Sequence, residues 1–231
     1  SAVPIGVEKE SLCTSTWDFE RSVISLILSQ DMNELSATTS GVIEQLCRLD
    51  GTVTVLDGAS LVKESANMDC EYLKSNFASR VEMLFKEMVR RNNTYKQSVS
   101  KGNPVESYLP EYFVVTGLQA ILASLSDQGI DEVNTLLEKA EPHYNIRFIL
   151  CDSVRAVSEF RGVKWYKKHV GDGEGIWVGN GITDQYIIKV GKLTNSLYSK
   201  ISPHFGYLVK QGKPMLAKLI VGSYYKEARE E

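Results

Sequence analysis

Four short apolar runs of strand length constrain the fold more than any other feature of the sequence. The run VISLIL at 23–28 is almost uninterrupted, and three similar runs follow at 52–56, 112–115 and 146–150. Such runs are typical of strands that are covered on both faces, as in the centre of a parallel sheet. Segments with helical spacing of apolar residues separate the runs. The pattern predicts an α/β fold with a central, largely parallel sheet flanked by helices on both faces.

The rest of the chain predicts further helices and strands, with prolines and glycines in the turns between them. Helices are expected up to about 49 and over 69–92, 119–125 and 130–140. Further strands are expected at 13–19 and, as short pieces near the C-terminus, at 175–179, 185–190, 205–209 and 215–220. The polar stretch 93–110, which contains two prolines, is predicted to be a long loop.

Composition excludes several classes of protein. The 231 residues carry a formal net charge of -3, which argues against a surface built mainly to hold nucleic acid phosphates. The four cysteines lie far apart without a Cys-x-x-Cys pair, a pattern typical of reduced thiols and not of a zinc site. No apolar run approaches the roughly 20 residues that cross a bilayer. Because the chain opens Ser-Ala-Val-Pro without an initiator Met, we expect a piece of a longer protein with any membrane anchor upstream.

The turn after the first apolar run is where an α/β sheet would place a ligand phosphate, against the N-terminus of the next helix. An active phosphate loop reads Gly-x-x-x-x-Gly-Lys-Ser/Thr. The eight corresponding positions here are Ser29, Gln30, Asp31, Met32, Asn33, Glu34, Leu35 and Ser36. Only Ser36 matches the pattern, at the hydroxyl position that would contact Mg²⁺. Taken alone, these positions favour an ordinary strand-to-helix turn with Asp31 or Ser29 as the helix N-cap.

The change of charge in this loop opposes triphosphate binding. Leu35 stands where a lysine would neutralise phosphate charge, and Glu34 adds a negative charge nearby. A unit charge at about 4 Å is worth on the order of 4 kcal/mol at an effective dielectric of about 20. About 1.4 kcal/mol corresponds to a tenfold change in affinity. Tight triphosphate binding is therefore not expected, even if solvent screening reduces these charge interactions severalfold.

The acidic residue that such sites place at the end of a buried strand is missing as well. It would hold Mg²⁺ or polarise water, but the run 112–115 ends in Thr116-Gly117. Asp57 does end a strand, yet that strand should be a neighbour of the one that carries the acid, and we interpret Asp57 as a turn residue. The sequence therefore predicts no catalytic residues and no ATP hydrolysis by this chain alone.

Several segments together resemble an FtsK/SpoIIIE-type ATPase module. They are the opening Pro-Ile-Gly-Val-Glu at 4–8, the strands at 23–28, 52–57 and 112–116, and above all Glu-Gly-Ile-Trp-Val-Gly-Asn-Gly-Ile at 174–182. The resemblance covers nearly the whole chain. Within the family, the sequence is most similar to the third, C-terminal module of the membrane-anchored coupling proteins of type VIIb secretion.

The resemblance implies that residues 1–231 form one degenerate module with a RecA-like P-loop NTPase fold, on the cytoplasmic side of the cell membrane. Its implied partners are secreted helical-hairpin proteins and neighbouring ATPase modules of the same chain, with homo-oligomerisation of the full assembly left open and no nucleic acid. Relatives bind ATP and Mg²⁺, so the loop 29–36 becomes a decayed phosphate loop and no cofactor or metal is expected. The alternative is an ATPase module whose site is completed by an adjacent module or an oligomer, and which energises protein secretion.

Four large apolar residues near the C-terminal third are candidates for substrate binding. Trp165, Ile176, Trp177 and Ile182 lie in a region with many glycines, where aromatic anchors could line a groove for an amphipathic helix. The competing interpretation is that each of these side chains fills the core. Both interpretations remain open from the sequence.

Overall fold

A computed structural model describes residues 2–227, which contain ten strands in a single sheet. The strands are β1 (Ala2–Glu8), β2 (Thr14–Asp18), β3 (Ile24–Ser29), β4 (Thr52–Asp57), β5 (Glu71–Leu73), β6 (Glu111–Thr116), β7 (Ile146–Ser153), β8 (Gly175–Val178), β9 (Phe205–Lys210) and β10 (Lys213–Leu219). The α-helices are α1 (Met32–Leu46), α2 (Phe77–Lys101), α3 (Leu118–Ala123), α4 (Asp127–Lys139), α5 (Val154–Ser158), α6 (Lys164–His169) and α7 (Ser223–Glu227).

The sheet has a parallel half and an antiparallel half. Its strand order is β2-β1-β10-β9-β8-β3-β7-β6-β4-β5. All pairings from β8 to β5 are parallel, whereas β9, β10, β1 and β2 pair antiparallel with their neighbours. The predicted α/β fold with a largely parallel central sheet and added short strands near the C-terminus is therefore confirmed. The opening segment with Pro4 and Gly6 adds a strand that the sequence pattern did not indicate.

The two faces of the sheet carry separate hydrophobic cores because successive side chains of a strand point to opposite faces. On β6, Phe113 and Val115 pack with the helices α2 to α6, whereas Tyr112 and Val114 pack on the face covered by α1. All six residues of β3 are buried. The central strands are thus covered on both faces, as their continuous apolar runs predict.

Helix α2 differs from its prediction at both ends. The expected helix began at 69, but β5 and a turn at Asn76, which has a φ of 58°, precede the observed start at Phe77. The predicted loop at 93–110 is wrong in its first half because α2 continues to Lys101, where Gly102 provides a left-handed C-cap. No proline or glycine interrupts the polar stretch before Gly102, so the exposed helix continues through it.

The strand predicted at 185–190 is also wrong. The side chain of Gln185 organises this segment as a loop, since its Oε1 accepts the Ile187 and Ile188 N–H groups at 2.8 Å. Its Nε2 donates to the Ile182 carbonyl oxygen at 3.2 Å. An amide side chain that satisfies the backbone in this way competes with strand pairing.

None of the helices within residues 2–227 combines the length and apolar character that crossing a membrane requires.

Candidate functional site

The connection between β3 and α1 is too short to surround a phosphate group. Strand β3 ends at Ser29 and α1 begins at Met32, so only Gln30 and Asp31 connect them. In an active phosphate loop, the glycine-rich residues wrap around the phosphates before the helix begins. Here Met32 and the following positions of the eight-residue segment already belong to α1. The segment 29–36 therefore has the place of a phosphate loop in the sheet but not its backbone shape.

Asp31 supplies the negative charge that a phosphate would bring to this helix end. It is the N-cap of α1, and its Oδ1 accepts the N–H groups of Asn33 at 2.9 Å and Glu34 at 3.2 Å. The first-turn N–H groups of a helix otherwise attract anions. A bound carboxylate occupies two of these donors and repels a second anion. Of the two residues predicted as the N-cap, Asp31 and Ser29, the structure has Asp31.

The side chains of Glu34, Leu35 and Ser36 are committed to packing or hydrogen bonds within the protein. Leu35 is 0% exposed and belongs to the core between α1 and the sheet. The Ser36 hydroxyl donates to the carbonyl oxygen of Leu61. Glu34 Oε2 accepts the backbone N–H of His204 at 2.8 Å and lies 3.1 Å from the Nδ1 atom of the same residue. None of the three presents a free cation or hydroxyl to a ligand.

Ser29 connects this segment to the glycine-containing segment 174–182. Its hydroxyl donates to the Val178 carbonyl oxygen at 2.8 Å and accepts the Asp31 N–H at 2.9 Å. Strand β8 lies beside β3 in parallel register, with Ser29 opposite Val178. The two segments that the sequence singled out separately are thus neighbours, and the second forms one side of the β3–α1 turn.

Thr116 and Asp57 form a buried pair at the ends of β6 and β4. Both are 0% exposed, and the Thr116 hydroxyl donates to Asp57 Oδ1. Asp57 also accepts the Leu61 N–H at 2.8 Å, the Val62 N–H at 3.0 Å and the Tyr72 hydroxyl at 2.6 Å. Burial and the hydrogen bond to Asp57 raise the pKa of the Tyr72 phenol. With four donors, the carboxylate anchors the turn after β4, in agreement with its interpretation as a turn residue on a strand adjacent to β6.

Asp152 is an acidic residue at this edge that the sequence analysis missed. It lies near the end of β7, between β3 and β6, where its Oδ2 accepts the Gly117 N–H at 3.1 Å and its Oδ1 accepts the Ser153 N–H at 2.7 Å. Burial raises its pKa above the ordinary range. An acidic residue two positions after the apolar run 146–150 was the available signal. Because two backbone donors engage it, Asp152 stabilises the neighbouring turns.

The residues present do not fit MgATP. The helix N-terminus is capped by a carboxylate, Leu35 is in the core, and Thr116 stands where the acid would be. Of the acids beside that position, Asp57 already accepts four hydrogen bonds, and Asp152 accepts the N–H groups of Gly117 and Ser153. Within residues 2–227, no group of three or more His, Cys, Asp or Glu side chains is arranged to hold a metal ion.

The predicted groove formed by Trp165, Ile176, Trp177 and Ile182 is wrong. None of the four side chains is more than 1% exposed. Ile176 belongs to the core on the α1 face, whereas the other three belong to the core on the opposite face, so they cannot line one groove. The Trp177 indole N–H donates to the Asn180 carbonyl oxygen at 3.1 Å, which satisfies its polar atom inside the protein.

Solved structures of secretion ATPases share this architecture. The cytoplasmic domain of EssC superposes with a TM-score of 0.73 at 14% identity over 95% of this chain and 44% of that chain. EssC (ATPases 2 and 3) from Geobacillus thermodenitrificans gives 0.70 at 16% identity, with 95% and 41% covered. Thermomonospora curvata EccC (ATPases 2 and 3), in complex with a signal sequence peptide, gives 0.61 at 18% identity, with 95% and 40% covered. The chain has the fold of a P-loop ATPase module.

This likeness establishes the fold alone because the sequence identities are low. The chain spans less than half the length of each of these three secretion ATPases. No protein-family model matches the chain, and no curated protein matches it. Function must therefore be argued from the site itself.

Proposed function

We propose that this chain is a catalytically silent, ATPase-like module of a type VII secretion coupling protein, equivalent to the third, C-terminal module of EssC. In this role it docks secreted helical-hairpin proteins and contacts neighbouring ATPase modules of the same chain at the cytoplasmic side of the membrane. The energy for secretion comes from nucleotide hydrolysis by other modules. The chain itself contributes a folded surface and no hydrolysis.

The observation that carries the proposal is the two-residue β3–α1 connection capped by Asp31. It lies at the place where the shared fold would bind a triphosphate, and its helix N-terminus is occupied by a carboxylate of the chain. The loss extends across the whole edge, because the lysine position is a core leucine and the acid position is a threonine. A single compensating residue from a neighbouring module would not replace the missing loop.

A docking role is supported by the structural likeness to EccC, whose solved structure includes a signal sequence peptide. The residues that would contact such a peptide here are not the four buried apolar residues that the sequence offered as candidates. A surface on the described part of the chain must supply the contacts, and mapping it requires an experiment that does not assume its position.

Two measurements on the purified chain test the proposal. Calorimetric titration with MgATP is expected to give no saturable binding up to millimolar nucleotide and no turnover above the blank. Photo-crosslinking to a secreted helical-hairpin protein from the same system is expected to give saturable crosslinks that do not depend on nucleotide. Micromolar MgATP affinity would overturn the silent role, and crosslinking that requires MgATP or fails altogether would overturn the docking role.

Ser36→Ala provides the matched control for turnover, because Ser36 is the one residue of the segment that matches the phosphate-loop pattern. If this site hydrolysed ATP, the rate of hydrolysis would be lower in the variant than in the natural chain. Hydrolysis by a contaminating ATPase would continue at the same rate in both preparations, which separates the two sources.

A further inference from the structure

One segment of the chain is strongly basic although the chain as a whole is acidic. Residues 185–226 contain seven lysines and no aspartate or glutamate, whereas the net charge of the full sequence is -3. The remaining residues therefore carry an excess of negative charge. A charge asymmetry of this kind indicates a surface that meets an anionic partner.

The basic segment forms much of the antiparallel half of the sheet. It contains β9, β10 and the connection that leads from residue 185 to β9. Lys189 is paired with Asp172, and the Lys210 ammonium donates to the Thr16 carbonyl oxygen at 3.3 Å. The lysines at 192, 200, 213 and 218 are exposed, and none of them forms an ion pair within residues 2–227. These four charges are available to an external anion.

Strand β1 leaves one of its faces open to solvent. Val3 and Ile5 belong to the core on the α1 face, whereas Val7 is 43% exposed. Lys218 on β10 lies opposite Val7 in the antiparallel register. Because directly opposite residues of an antiparallel pair share a face, Val7 and Lys218 lie side by side on the open face.

The open face continues into a groove of about 650 Å³ along β10. Leu216 lines this groove and lies two positions from Lys218, so both residues are on the same face of the sheet. Lys192 and Lys200 line the groove as well. Three of the four available lysines are therefore gathered on one side of the molecule.

Exposed apolar side chains lie among these lysines. Leu193 is 51% exposed and Tyr198 is 62% exposed, and both belong to the connection that carries Lys192 and Lys200. We call the surface made by these side chains the basic face; its members are Val7, Lys192, Leu193, Tyr198, Lys200 and Lys218.

We propose that the basic face binds the surface of a lipid bilayer that contains anionic lipids. Lysines on such a face attract the charge of the headgroups, while apolar and tyrosine side chains enter the headgroup layer. The proposal goes beyond the proposed secretion role, because the chain's own surface makes the contact and neither a secreted protein nor another module is needed.

The arrangement of the apolar side chains favours a lipid surface over an acidic protein. Leu193 directly follows Lys192, Tyr198 lies two positions before Lys200, and Val7 is opposite Lys218. Each apolar side chain thus stands singly beside a lysine. A protein interface typically gathers its apolar residues in a central cluster and places its charges at the rim.

Two carboxylates of the β1–β2 connection oppose the attraction in part. Glu8 and Glu10 line the groove together with Lys9. Binding should therefore depend strongly on salt, since ions screen exposed charges. Glu10→Gln removes one opposing charge and is expected to strengthen binding to anionic vesicles about fivefold.

The test sediments the purified chain with vesicles of phosphatidylcholine alone, and with vesicles of equal parts phosphatidylcholine and phosphatidylglycerol. The chain is expected to sediment with the anionic vesicles at low salt, to remain in solution with the neutral ones, and to be released from the anionic ones as salt is raised. Equal binding to both kinds of vesicle, or no binding to anionic vesicles at low salt, would overturn the proposal.

Single replacements locate the contact. Lys192→Gln and Lys200→Gln are each expected to lower the partition coefficient onto anionic vesicles about fivefold. Leu193→Ser keeps every charge and should lower it severalfold, because it removes an apolar side chain from the headgroup layer. Lys101→Gln is the matched control, since it removes the same charge from the exposed end of α2 and should leave binding unchanged.

Two further outcomes decide against the basic face as a lipid contact. An equal loss of binding in Lys101→Gln would show that net charge alone, and no particular face, holds the chain on the vesicles. Binding of poly-glutamate without binding of anionic vesicles would assign the basic face to an acidic protein. Circular dichroism of each variant checks that the replacement leaves the fold unchanged.

Discussion

Leu35 stands at the lysine position of the phosphate-loop pattern, and its side chain is part of the core. Its side chain is fully buried between α1 and the sheet, at the place where an active phosphate loop presents lysine to the ligand. In an active loop that lysine projects into the nucleotide site, whereas here the helix has already begun at Met32 and position 35 faces the core. Both the residue type and its environment differ from those of an active loop, so a lysine at this position is not expected to bind phosphate.

The variant Leu35→Lys is therefore expected to lower the free energy of unfolding by about 4 kcal/mol or more, because it removes core packing and buries a charge without a partner. It should gain no MgATP binding. Urea denaturation and calorimetry measure the two effects. Leu35→Met is the matched control, with an expected loss of less than about 1.5 kcal/mol. A stable Leu35→Lys protein that binds MgATP would show that the loop can still open around a phosphate.

Helix α1 differs from the helix of an active phosphate loop in where it begins and in what caps it. Asp31 lies two residues after the last position of β3 and holds the Asn33 and Glu34 N–H groups. A side-chain carboxylate stabilises this helix end by hydrogen bonds and by interaction with the helix dipole. The Asp31 carboxylate that caps α1 also occupies two of the N–H donors that an anion at this helix end would need.

Replacing Asp31 by Ala is expected to lower the free energy of unfolding by about 1 kcal/mol, the usual cost of a lost N-cap. Asp31→Asn keeps an oxygen acceptor and should cost only a fraction of that amount. Both values come from urea denaturation at neutral pH. Neither variant should bind inorganic phosphate, because the two-residue connection remains. An equal loss in the two variants would indicate that the carboxylate charge, and not the cap geometry, stabilises α1.

At the scale of the whole molecule, the parallel and antiparallel halves of the sheet meet at strand β8. Strand β8 pairs in parallel with β3 on one side and antiparallel with β9 on the other. At this junction Gly206 is required by close packing, since a Cβ there would lie 2.2 Å from the Trp177 carbonyl oxygen. The backbone hydrogen bonds therefore continue without a break from β2 to β5.

A continuous sheet predicts that the two halves unfold together. Trp17 on β2 reports on the antiparallel half, whereas Trp165 and Trp177 report on the helical face and the junction. Tryptophan fluorescence and far-UV circular dichroism should give the same urea midpoint in one transition. Trp17→Phe removes the antiparallel reporter and should leave a single transition by both probes. Two separate transitions would mean that the halves are independent units.

The sequence predicted the central strands correctly because they depend on local information, whereas the loss of phosphate chemistry, which depends on the same kind of information, stays a prediction. A continuous apolar run forms a doubly covered strand wherever it lies, and the missing lysine and acid can be read at their positions. The extension of α2 to Lys101 was missed because an exposed polar helix carries a weak apolar signal. Its start was predicted too early because β5 and the turn at Asn76 were not recognised. Asp152 was missed because its position between β3 and β6 depends on strand order.

The sequence by itself determined that this is an α/β chain whose loop after the first central strand lacks the glycines and the lysine of the phosphate-loop pattern. Only the tertiary structure decided where each conspicuous side chain goes. Trp177 and its apolar neighbours became core, and Asp57 became the anchor of a turn. These outcomes depend on contacts between residues far apart in the chain, and a local pattern does not contain that information.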